Sequence, residues 1–146
     1  MKHATTLKTK DKYIIHSNSD TTTGLEVATA PYLHFPLDEA CVDICNGLLQ
    51  ALNASKTIVP HPADFAMFTK IYVSECGFKT WSELHKKSLM CHVSLDEDQI
   101  IFSPNKREKR GGGYSGLGKD MDEMVSLSAG FQEVIYAMNR AFDKCD

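Results

Sequence analysis

Cys91-His92-Val93-Ser94-Leu95-Asp96-Glu97-Asp98-Gln99-Ile100-Ile101-Phe102 decides how this chain folds. Two short runs of strand-forming residues flank three consecutive acids, which reads as a β-hairpin with an acidic tip. Adjacent strand residues point to opposite faces, so Cys91 and His92 do not make a nucleophile pair. Downstream, residues 105–120 form a long loop that is basic first and glycine-rich afterwards. Residues 124–127 read as one more short strand. Residues 128–144 read as a helix, because Phe131, Val134, Ile135, Met138 and Phe142 recur at three- and four-residue spacing.

Upstream of the hairpin, Thr80-Trp81-Ser82-Glu83 has capping-box spacing and opens a short helix to about Lys87. Residues 63–75 make another helix, with Gly77 at its C′ position. Residues 38–54 make the longest upstream helix, striped by Cys41, Ile44, Cys45, Leu48 and Leu52, with Asp38 and Glu39 near its N-terminus. Before it come short strands at 13–16, 25–28 and 32–35, the last bracketed by Pro31 and Pro36 and so placed at an edge. Residues 1–11 read as a frayed, flexible polar tail. The fold class is therefore α+β: a single domain spanning 1–146, an antiparallel sheet with hairpins packed against several helices. Superposing Leu37 on Leu127 aligns the stripes of the two long helices. Two related hairpin–strand–helix halves would explain this, and so would any pair of amphipathic helices.

Composition bounds the function. The chain has 146 residues, 42% hydrophobic and 24% charged, with a net charge of −3. That is one packed globule, and its sign argues against a general nucleic-acid binder. No apolar segment follows the polar start as a secretory signal would, and no stretch approaches a membrane span. The five cysteines form no CxxC pair, which favours a reducing compartment. None of the six histidines lies in a zinc-spaced motif, so no metal site is expected.

Two charged constellations stand out. Asp38, Glu39 and Asp43 share the start of a helix, and Asp96, Glu97 and Asp98 cap the hairpin. Together they are candidates for an electronegative face that steers a cationic partner. Lys106, Arg107, Lys109, Arg110 and Lys119 lie in the long loop, where they are candidates for phosphate or RNA contact, or simply a solvated loop. Residues 113–119 have P-loop spacing. Asp120 stands where that motif needs Ser or Thr, and no clean helix start follows, which argues against a nucleotide site.

A family likeness runs through most of the chain. It rests on Tyr72 ahead of Gly77-Phe78-Lys79-Thr80, Lys86-Lys87-Ser88-Leu89-Met90 closing a short helix, and the strands 91–95 and 100–104. A terminal helix ending Ala141-Phe142-Asp143-Lys144-Cys145 and the step Phe35-Pro36-Leu37 before a helix complete it. On these residues the chain resembles immunity proteins of bacterial contact-dependent growth inhibition (CDI) systems. The loop 106–119 departs from that pattern in being more basic and richer in glycine. The resemblance implies a cytoplasmic inhibitor without catalytic activity, cofactor, membrane attachment or direct nucleic-acid binding. Its partner would be the C-terminal toxin domain of a large secreted protein, bound one to one. Such a toxin is often a nuclease, blocked at its active site or substrate path.

Overall fold

The computed structural model describes residues 1–146. Seven strands form one antiparallel sheet: β1 (Lys2–Lys8), β2 (Lys12–Asp20), β3 (Glu26–Pro36), β4 (Leu89–Asp96), β5 (Gln99–Arg107), β6 (Tyr114–Gly116) and β7 (Glu123–Ser126). Their order is β3-β2-β1-β4-β5, and β6 and β7 both add to β5, along different parts of it. Four helices complete the chain: α1 (Cys41–Asn53), α2 (Phe65–Glu75), α3 (Trp81–Lys87) and α4 (Phe131–Lys144).

Helices cover both faces of the sheet. On the first face, α1 and α4 pack side by side over Ala4, Tyr13, Ile15, Val93 and Phe102, forming the main core of 18 buried residues. The helical stripes read from sequence supply it: Ile44, Cys45, Leu48 and Leu52 from α1, and Val134, Ile135, Met138 and Phe142 from α4. On the second face, α2 and α3 cover a smaller core of Leu7, Ile14, Tyr72, Val73, Cys76 and Leu84.

The caps behave as their chemistry demands. The Thr80 hydroxyl accepts from the Glu83 amide at 3.1 Å, and Asp64 caps α2 by accepting from Met67. Helix α2 closes with two nested bonds, Phe78 N–H to the Val73 carbonyl and Gly77 N–H to the Ser74 carbonyl. Gly77 takes φ of +86°, and Phe78 packs back near Val73, which is a complete Schellman motif.

The structure corrects several expectations. Residues 2–8 are not a frayed tail: they form β1, the strand paired on both sides at the middle of the sheet. Its low hydrophobicity hid it, because Thr5 and Thr6 are buried there alongside Ala4 and Leu7. The segments expected at 25–28 and 32–35 are one edge strand, β3, with a register irregularity opposite His16 and Ser17 that absorbs Ala30 and Pro31. Helix α1 starts at Cys41, so Asp38 and Glu39 precede it in a turn and only Asp43 occupies its first turn. The loop 105–120 carries two strand segments, the end of β5 and β6. The internal repeat is not confirmed: α1 and α4 do sit together, but the second half carries an additional strand, β6, between β5 and β7 in the chain.

Candidate partner-binding surface

The sheet register fixes where the acidic groups lie. Lys2 of β1 stands opposite Leu95, next to the Asp96–Asp98 tip, while Lys8 at the other end stands opposite Tyr13, itself opposite Phe35. Asp38 and Glu39 follow Pro36 at that far end. Six residue steps along β1 separate the two ends, about 20 Å at strand rise. The six candidate acids therefore form two patches rather than one face. None of them has a cationic partner: the ion pairs of the chain involve only Glu26 and Glu123. Asp96, Glu97 and Asp98 are all exposed, with Glu97 at φ +56° in the tight turn. The neighbouring Asp43 carboxyl, by hydrogen bonding and by like charge, holds the Glu39 carboxyl above its usual range.

The Lys2 end of the second face has further polar structure that the sequence did not reveal. Strand alternation places His3 and Thr5 of β1, His16 and Asn18 of β2, and His92 of β4 on this side. They are joined by Glu26, the first residue of β3. Its carboxylate accepts from Asn18 Nδ2 at 3.0 Å, lies 3.0 Å from His92 Nε2, and lies 3.6 Å from His3 Nδ1. In a flat sheet β3 and β4 would stand about 14 Å apart. The Glu26–His92 contact thus shows the sheet curling around this face. Burial pushes the Glu26 carboxyl up, but hydrogen bonding and charge from His92, with His3 and Asn18, outweigh it and hold the group below its usual range.

Beside this cluster, a cleft of about 330 Å³ opens between the sheet and α2, lined by Thr5, Asn18 and Glu26 on one side and Phe65, Phe68 and Trp81 on the other. Its floor is His16. The His16 Nδ1 faces the Ser17 carbonyl at 3.0 Å, so Nδ1 carries the proton and Nε2 accepts from the Tyr72 hydroxyl at 3.0 Å. Full burial lowers the His16 pKa to about 4, so the ring is neutral at physiological pH. Helix α2 also exposes Phe65, Met67 and Ile71, a group of apolar side chains on the surface.

The basic loop is tied down more than its composition suggested. Trp81 Nε1 donates to the Gly112 carbonyl, His85 Nε2 lies 2.9 Å from the Gly113 carbonyl, and the Tyr114 hydroxyl donates to the Ser88 carbonyl. Arg107 spends its guanidinium on the carbonyls of Lys86 and Asp146. Lys106, Lys109, Arg110 and Lys119 remain exposed. Residues 113–119 run through β6 into a short 3-10 turn with no α-helix after it, so the strand–loop–helix frame of a P-loop is not built.

The fold is one curled antiparallel sheet with helices on both faces. The family model for CdiI, the CDI immunity protein, matches residues 2–145, and the chain belongs to that family. Among solved structures, a protein of unknown function from Neisseria meningitidis shares the fold at TM-score 0.78 and 20% identity, covering 99% of this chain and 95% of that one. A chain of the CdiA-CT/CdiI toxin and immunity complex from Yersinia pseudotuberculosis shares it at TM-score 0.77 and 17% identity, covering 99% and 97%. No curated protein matches. No helix is long and apolar enough to cross a membrane.

Proposed function

We propose that this chain binds the toxin domain of its CDI system one to one and neutralises it by covering the toxin's active site or substrate path. It acts from the cytoplasm, as an inhibitor and not as an enzyme. The observation that carries this reading is the family match over residues 2–145. The toxin–immunity complex from Yersinia pseudotuberculosis, a relative in fold, supports it.

The toxin is a nuclease on this reading, with a basic surface shaped for phosphates. An inhibitor competes for such a surface by presenting carboxylates that no internal cation neutralises. The hairpin tip supplies three, Asp96, Glu97 and Asp98, all exposed. Asp38, Glu39 and Asp43 lie at the far end of the sheet and form a second, weaker candidate patch. Charge alone speeds encounter more than it holds a complex, and stable interfaces also need apolar anchors. Phe65, Met67 and Ile71 of α2 are exposed and suited to that part.

Co-expression provides the test. Cells producing the toxin domain are expected to survive with this chain and to die without it. Reversing all three tip charges is expected to weaken protection while the chain still accumulates in folded form. Equal survival with and without the chain would overturn the function. Full protection by tip variants and by reversal of Asp38, Glu39 and Asp43 would overturn the surface while leaving the function standing.

A further inference from the structure

His3, Glu26 and His92 converge at the Lys2 end of the sheet from three different strands, β1, β3 and β4. One ligand-capable atom from each, His3 Nδ1, a Glu26 carboxylate oxygen and His92 Nε2, all lie within 4.8 Å of one another. We propose that these three residues form a binding site for a divalent transition-metal ion of the zinc class, with a fourth position open to solvent or to a further ligand.

Two imidazoles and one carboxylate are a donor set suited to zinc, and three protein ligands leave one tetrahedral position free. The spacing also fits. Ligands about 2.0–2.1 Å from a tetrahedral ion stand about 3.3 Å from one another. The Glu26 carboxylate lies close to both rings, with Oε2 3.0 Å from His92 Nε2 and Oε1 3.6 Å from His3 Nδ1, so a small turn of the carboxylate brings one oxygen within such a distance of both. Only a small inward movement of His3 and His92, whose rings are 5.1 Å apart and tilted by 43°, closes the third side.

A second observation points to a ligand. His3 Nδ1 is shielded from solvent and has no hydrogen-bond partner. Its contact with Glu26 is too long for a hydrogen bond, so a shielded ring nitrogen faces a carboxylate without bonding to it. A bound cation supplies what that nitrogen lacks. Outside the ligands, Asn18 Nδ2 donates to Glu26 and also to the Thr5 hydroxyl at 2.8 Å, which fixes the carboxylate in place. Second-sphere bonds of this kind orient metal ligands in established sites. The sequence could not announce the site, because its ligands lie at positions 3, 26 and 92 and meet only through the curl of the sheet.

Metal-stripped protein, without any toxin, is titrated with zinc and followed by calorimetry. Cobalt is used as a spectroscopic stand-in. The expected result is one zinc per chain, and intense visible cobalt bands of a low-coordinate nitrogen and oxygen site. His3→Gln, Glu26→Gln and His92→Gln are each expected to weaken zinc binding by about a hundredfold or more, and Asn18→Ala by about tenfold. Unfolding curves of the metal-free variants establish that each remains folded. His3→Gln is the mildest change, and its result stands if Glu26→Gln does not fold. A wild-type protein that binds no zinc at micromolar levels would overturn the site. So would binding that survives loss of His3, Glu26 or His92. A thiolate-to-cobalt charge-transfer band would also overturn it, by placing the metal at Cys91 and Cys145, whose sulfurs are 3.6 Å apart. Zinc binding to the chain alone is independent of toxin capture, so either finding can fail without the other.

Discussion

The two faces of the sheet are built on different principles. The face under α1 and α4 is apolar, closed and dry, with its largest side chains, Phe102, Phe142, Leu48 and Met138, entirely or almost entirely out of solvent. The face under α2 and α3 is apolar only at its Lys8 end, around Leu7, Ile14 and Leu84. Towards Lys2 it turns polar, with Thr5, His16, Asn18, Glu26, His3 and His92, and a cleft takes the place of a core. The lesson is a division of labour within one sheet. The first face contributes most of the stability and leaves the second free to carry polar groups that a purely structural layer would have no use for.

The largest effect should come from the dry face. Phe102→Ala is expected to cost about 3–5 kcal/mol, since a fully buried ring leaves a cavity between the sheet and α4. Urea unfolding measures it. A loss under about 1 kcal/mol would mean that the first core is not the stabilising one.

His16 should give the next largest effect, and it sharpens the contrast because it is a titratable group inside the second face. Its folded pKa of about 4 lies below its ordinary value near 6.5, so the unfolded chain binds the proton more readily. The contribution to stability is therefore fully present above about pH 6.5 and is lost as pH falls towards 4. The span corresponds to about 3 kcal/mol. Unfolding measured at pH 7 and pH 4.5 should show a smaller drop for His16→Gln than for the unchanged chain. An identical drop in both would remove His16 as the source.

Smaller still is the cap of α3. Thr80→Ala removes the acceptor for the Glu83 amide and is expected to cost about 1 kcal/mol in the same unfolding assay. The smallest stability effect should come from reversing Asp96, Glu97 and Asp98 together, which are exposed and unpaired. It should stay within about 0.5 kcal/mol, while association with the toxin domain slows by about tenfold or more at low salt. Stopped-flow mixing reads the second quantity.

What was legible in the sequence was local. The stripes of α1 and α4, the Thr80 cap, the Gly77 terminus and the acidic hairpin all depend on residues within a few positions of each other, and all appear in the structure. Strand β1 was illegible because it is buried by pairing on both sides rather than by hydrophobicity, so Thr5 and Thr6 do the work expected of Val or Ile. The break at Pro31 made one edge strand look like two. The glycine-rich loop is held by Trp81, His85 and Ser88, contacts of long sequence separation that no motif records. The same reason hid the cleft and the His3–Glu26–His92 cluster. The acids were visible as charges, but only the register of β1 separates the tip from the start of α1.

Titrating the purified toxin domain of the CDI system into this chain by calorimetry decides whether the chain captures it. A saturable one-to-one complex, weakened when Asp96, Glu97 and Asp98 are reversed, is the predicted result. No heat of binding and no co-elution, with both proteins folded, would contradict it.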